Sequence, residues 1–135
     1  MFKPIYLERN DDNFSYLTIL YENDDTHILS TFMNDDVTCF GESILKMLKS
    51  LLNDEVSIVD TSFNMSHILA NKDKTSIVKL FDNDDNELVI ATSELYSLVY
   101  EWLKKLREFE EEKFWNVYDK PWIIKLKKDF LNYLL

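Results

Sequence analysis

The first 32 residues read as apolar runs broken by polar triplets. "IYLE" (5–8), "NFSYLTILYE" (13–22) and "THILSTF" (26–32) are β-branched and aromatic, which suits half-buried strands. Beside them stand Asn10-Asp11-Asp12, Asn23-Asp24-Asp25 and Asn34-Asp35-Asp36. Asn and Asp tolerate left-handed backbone and hydrogen-bond their own main chain, so each triplet predicts a turn without glycine. The spacings of 13 and 11 residues are too uneven for a structural repeat and fit a meander.

The period changes at "DVTCFGESILKMLKSLLND" (36–54). Val37, Phe40, Ile44, Leu48 and Leu51 fall on one helical stripe, widened by Leu45 and Leu52, with Asp36 or Thr38 placed to cap its start. "EVSIVDTS" (55–62), "MSHILAN" (65–71), "TSIVKLF" (75–81) and "ELVIAT" (87–92) then predict four short strands. Thr92 or Ser93 is placed to cap a long amphipathic helix whose inner face is Leu95, Leu98, Val99, Trp102, Leu106 and Phe109. Pro121, with Asp119 as its cap, opens a further helix carrying Ile123, Leu126, Phe130 and Leu134. This order predicts one α+β domain over residues 1–135, a mostly antiparallel β-sheet meander backed by amphipathic helices.

Composition narrows the class. At 135 residues, 46% hydrophobic and 14% aromatic, the chain can bury a core, and one Gly with two Pro leaves no flexible linker. No apolar run approaches a membrane span, the opening "MFKPIYLERNDD" lacks a signal-peptide pattern, and Cys39 is the single cysteine. A cytoplasmic protein is the expectation. The formal charge of −10 is uneven: residues 1–103 hold seven basic and nineteen acidic side chains, residues 104–135 eight and six. Such a field opposes nucleic acid and anionic lipid and attracts basic partners.

The candidate chemistry is sparse. Asp82, Asp84 and Asn86 fill the first oxygen positions of a calcium loop, but Glu87 stands where such a loop needs Gly and Ser93 where it needs Glu. "FDNDDNEL" is better explained as a hairpin connection, so no metal is expected there. Cys39 beside Phe40 reads as a small buried thiol. His27 and His67 fall in predicted strands with nothing tying them to it, and two His with one Cys make a poor zinc set. Gly41 alone excludes glycine-rich phosphate loops. Lys120, Lys125, Lys127 and Lys128 near Trp115, Tyr118 and Trp122 mix basic and aromatic character, but most read as a solvated helix face. No enzyme activity, cofactor or nucleic-acid partner is expected.

Protein binding remains. In "FGESILKMLKSLLNDE" and "LVIATSELYSLVYEWLKKL", each an amphipathic helix beside a short strand, the chain resembles the immunity proteins of bacterial polymorphic and contact-dependent toxin systems. The resemblance implies a partner toxin, often a basic nuclease, neutralised by binding at or near its active site. Asp24, Asp25, Asp82, Asp84 and Asp85, all in predicted turns, are then the candidate partner-binding residues. The alternative is a structural or adaptor subunit that pairs through its C-terminal helices. If residues 82–87 form only a turn, millimolar calcium leaves the melting temperature within about a degree, because nothing links calcium to folding. A chelator-reversible rise of several degrees, abolished by Asp84→Ala, would restore a calcium site.

Overall fold

A computed structural model describes residues 2–11, 14–81 and 86–117, with the backbone alone over 114–117. Strands β1 (Pro4–Asp11) and β2 (Phe14–Tyr21) pair antiparallel from Pro4–Tyr21 to Asp11–Phe14. Asn23 and His27 take left-handed backbone (φ 66° and 59°) in the following turn, as the second Asn-Asp triplet predicts.

The chain then departs from expectation. Residues 26–32 do not form a strand. They lead into a helical rod built of α1 (Ile28–Thr31), a π-helical segment (Phe32–Val37) and α2 (Thr38–Leu52). β-Branched composition suggested a strand, but Ile28, Leu29, Phe32, Met33 and Val37 are all buried at helical spacing. Burial on one helical face outweighs local propensity. The third triplet accordingly lies in the π segment instead of making a turn. Its Asn34 pairs with an extended backbone: Ile19 N–H donates to Asn34 Oδ1 at 2.9 Å, and Asn34 Nδ2 donates to the Ile19 carbonyl at 2.8 Å.

α2 buries Gly41, Ile44, Leu48 and Leu51. Phe40, expected on that stripe, is 39% exposed and pairs with Phe63 at 5.9 Å. Gly41 takes the inner position, because a Cβ there would run into Leu103 Cδ2 of the helix packed against it. Neither Asp36 nor Thr38 caps the helix. Asp36 accepts from Met65 N–H at 3.0 Å, and Thr38 Oγ1 donates to the Met33 carbonyl at 3.0 Å.

The second sheet is an antiparallel meander, β3 (Val59–Ser62), β4 (Ser66–Ala70), β5 (Lys74–Lys79) and β6 (Glu87–Ala91), in that spatial order. The other predicted strands are present as two sheets, and β3 starts four residues later than the run at 55–62. β6 passes directly into α3 (Thr92–Val117). Thr92 does not cap it: its hydroxyl donates to the Asn71 carbonyl at 2.7 Å and contacts Thr75 Oγ1 at 2.9 Å. That contact pins the strand–helix junction to the β4–β5 turn. No helix among the described residues is long and apolar enough to cross a membrane. The helix expected from Pro121 and the lysines beyond it lie outside the described residues.

Helices and sheets meet in one core, in which Trp102 is fully buried, as its place on the amphipathic face predicts. Its Nε1–H donates to the Met33 carbonyl at 3.0 Å, and its ring stacks on Tyr6 at 6.2 Å. Trp102→Ala is expected to cost about 3–5 kcal/mol in urea unfolding, as large aromatic truncations do. Trp102→Phe, which keeps most of the ring but loses the donor, is expected to cost clearly less. A loss under about 1 kcal/mol for the alanine variant would mean the indole contributes nothing to the core.

Candidate protein-binding surface

The five acidic candidates separate on inspection of their surroundings. Asp24 is turned inward and only 6% exposed. Its Oδ1 accepts from Leu29 N–H at 3.2 Å, and its Oδ2 accepts from Ser30 N–H at 2.8 Å and Ser30 Oγ at 2.7 Å. These are the orphan donors at the start of α1, where the N-cap residue His27 offers no side-chain bond. Asp24 is therefore a helix cap, and its expected place on a binding surface is corrected. Turn propensity placed the triplet, but only the following helix explains which of its carboxylates points in.

Asp25 is exposed beside it. Lys79 Nζ donates to the Thr26 carbonyl at 2.8 Å, which ties this turn to the end of β5. The chain leaves β5 there, passes Leu80 and Phe81, and returns as β6 at Glu87. Asp82, Asp84 and Asp85 lie outside the described residues. The base of their connection and the Asp25 turn therefore stand at the same end of the molecule. Phe81 is 79% exposed at that base, and Leu80 is 39% exposed.

A second group of residues was not assembled by sequence reasoning. On the face of the four-stranded sheet turned away from the helices, His67 contacts Asp60 Oδ1 through Nε2 and Ser62 Oγ through Nδ1, each at 2.6 Å. The register sets Ser62 opposite His67 and Asp60 opposite Leu69, so one hairpin brings all three side chains to one face. Alternation along β3 and β4 was the available signal. The trio is exposed, and its bonds hold an aspartate in one orientation. The two histidines do not share a site: His27 is in a turn instead of a strand, whereas His67 lies in β4 as expected. Cys39, expected to be buried, is exposed. The inward stripe of the helical rod runs through Val37 and Gly41, which leaves the intervening Cys39 off it.

One further acidic side chain is internal. Asp36 is fully buried, with Oδ1 on Met65 N–H and Oδ2 without a partner among the described residues. Burial holds the Asp35 carboxyl above its usual range, and the neighbouring Asp36 charge adds to the shift. Among the described residues, no three His, Cys, Asp or Glu side chains gather as a metal site.

These features define an acidic α+β scaffold with carboxylates and apolar side chains presented on its surface. No protein-family model matches the chain, and no solved structure matches it. Over 88 residues it is 30% identical to an immunity protein of Bacillus cereus, a match covering 64% of this chain and 75% of that protein. The chain belongs to the family of that immunity protein.

The two neighbouring aspartates give a direct check on their roles. Asp24→Ala is expected to lower stability by about 1–2 kcal/mol in denaturant unfolding, since it uncaps α1 and leaves buried donors unpaired. Asp25→Ala is expected to change stability by under about 0.5 kcal/mol, as exposed substitutions do. Equal losses for both would contradict the inward assignment of Asp24.

Proposed function

We propose that this chain is an immunity protein that binds a cognate toxin domain and neutralises it by occlusion, with no chemistry of its own. Kinship with the Bacillus cereus immunity protein carries this reading. The charge distribution favours a basic toxin domain: the net −12 of residues 1–103 attracts cationic surfaces over distance. Asp25, Asp82, Asp84 and Asp85 are the carboxylates proposed to enter a cleft built for phosphate, which makes a nuclease the fitting target. Asp24 supports them from inside, by fixing the turn that presents Asp25.

Phe81 supplies what carboxylates alone do not. Affinity at protein interfaces concentrates in a few large side chains that become fully desolvated, with charged residues around them setting approach and register. An aromatic ring 79% exposed beside an acidic connection has that arrangement. The proposed compartment is the cytoplasm, where an immunity protein meets a toxin after entry.

The test is co-expression with candidate toxin domains taken from the genes flanking this one, scored by growth, then association rates measured against salt. Wild type is expected to protect, and its association rate to fall steeply from 0.01 M to 0.1 M salt, as the Debye length shrinks from about 30 Å to about 10 Å. Changing Asp25, Asp82, Asp84 and Asp85 together to Asn is expected to slow association about tenfold or more at low salt, with melting unchanged. Phe81→Ala is expected to act mainly on dissociation. If the four-Asn variant associates and protects like wild type, the acidic-occlusion mechanism is wrong.

A further inference from the structure

The open face of the four-stranded sheet carries a trough separate from the acidic turns. Ile58, Leu69 and Val89 are 66%, 52% and 53% exposed, and with Lys74, Ser76 and Glu87 they line a depression of about 320 Å³. Register explains the shape. Leu69, Ser76 and Val89 stand abreast on β4, β5 and β6. The short Ser76 side chain in the middle leaves a gap between two apolar walls. Successive same-face residues are two apart along a strand, so Glu87 flanks this row on one side and Lys74 on the other, at the two ends of a trough that runs along the strands.

The ends of the trough differ in chemistry. Ser76 Oγ donates to Glu87 Oε2 at 2.6 Å, which draws the floor hydroxyl to the acidic end and steadies that carboxylate. Asp60, next to Leu69 on the outer strand, is steadied in the same way by His67 at 2.6 Å. Among the described residues each of these carboxylates has one oxygen engaged. Both residues are exposed.

We propose that this trough receives a lysine or arginine side chain of a basic partner protein. The aliphatic stem lies between Leu69 and Val89, and the cationic head meets the Glu87 carboxylate. Long cationic side chains have this two-part character, an apolar stem and a charged tip. A carboxylate already oriented by a neighbour loses less freedom on forming a charge-assisted bond. Lys74 at the far end repels the incoming charge and so sets the direction of insertion. The chain's net charge of −10 favours a cationic visitor over an anionic one. This inference rests on the proposed immunity role only for taking the basic partner to be the toxin.

The experiment uses the full chain, isotope-labelled for NMR, with a hexa-arginine peptide as probe and the uncharged hexa-citrulline peptide as control. Saturable shifts are expected at the amides of Leu69, Ser76, Glu87 and Val89 with the arginine peptide alone. Glu87→Gln is expected to weaken that binding about tenfold, the scale of one hydrogen bond between charged groups, with melting unchanged. Val89→Ser, which removes a wall and leaves the charges, is expected to weaken it several-fold. Shifts confined to Glu22, Asp25 and residues 80–86, or equal shifts with hexa-citrulline, overturn the trough assignment. Growth protection by wild type tests the immunity role separately, so the trough can fail while that role stands.

Discussion

The architecture depends on one carbonyl. Met33 O lies in the π segment, where the Thr38 N–H reaches back five residues to it instead of four. The wider turn opens that oxygen to two further donors, Thr38 Oγ1 at 3.0 Å and the Trp102 indole N–H at 3.0 Å. A fully buried indole needs a partner for its N–H, because an unpaired donor in the core costs on the order of 1–3 kcal/mol. The π turn provides that partner. Through Trp102 the same point joins α3 to the helical rod, and the stacked Tyr6 extends the contact to β1. Three pieces distant in sequence are registered against one another by one side chain.

Buried polar groups repeat this logic at the edges of the core. Asp24 collects three donors at the start of α1, Asn34 pairs with both main-chain groups of Ile19, and Thr92 holds the β6–α3 junction to Asn71. Each satisfies backbone groups that secondary structure leaves open. They also divide the acidic residues into two populations. Asp24 and Asp36 are buried and define local geometry, while Asp25, Asp60 and Glu87 reach solvent. A negative surface thus coexists with internal carboxylates that a partner cannot reach.

The uncovered face of the sheet follows from the same arrangement. α1 and α3 pack on the side carrying Ile68, Ile77 and Ile90, so the alternate residues Leu69, Ser76 and Val89 remain outside. A one-sided sheet is ordinary in α+β proteins, with polar residues expected outward. Here that row is two-thirds apolar, with carboxylates around it, and it has room for the side chains of another protein.

Much of the fold was legible in the chain itself. Period-two runs over 66–70, 74–79 and 87–91, and the amphipathic stripe from Leu95 to Trp102, depend on local alternation that survives folding unchanged. The acidic field was legible for the same reason, since charge is a sum over residues. The helix at 28–37 was not, because "THILSTF" and "NDD" prefer extended or turned backbone and are overruled by burial against β2, β5, β6 and α3. Nor could the chain say that Asp24 points inward while Asp25 points out, or that Gly41 and not Phe40 faces Leu103. Those choices depend on which surface arrives from elsewhere in the chain. Local sequence determined most of the elements and the charge; tertiary packing decided the helix at 28–37 and which side chains became core, cap or contact surface, because direction is set by the neighbour that each element meets.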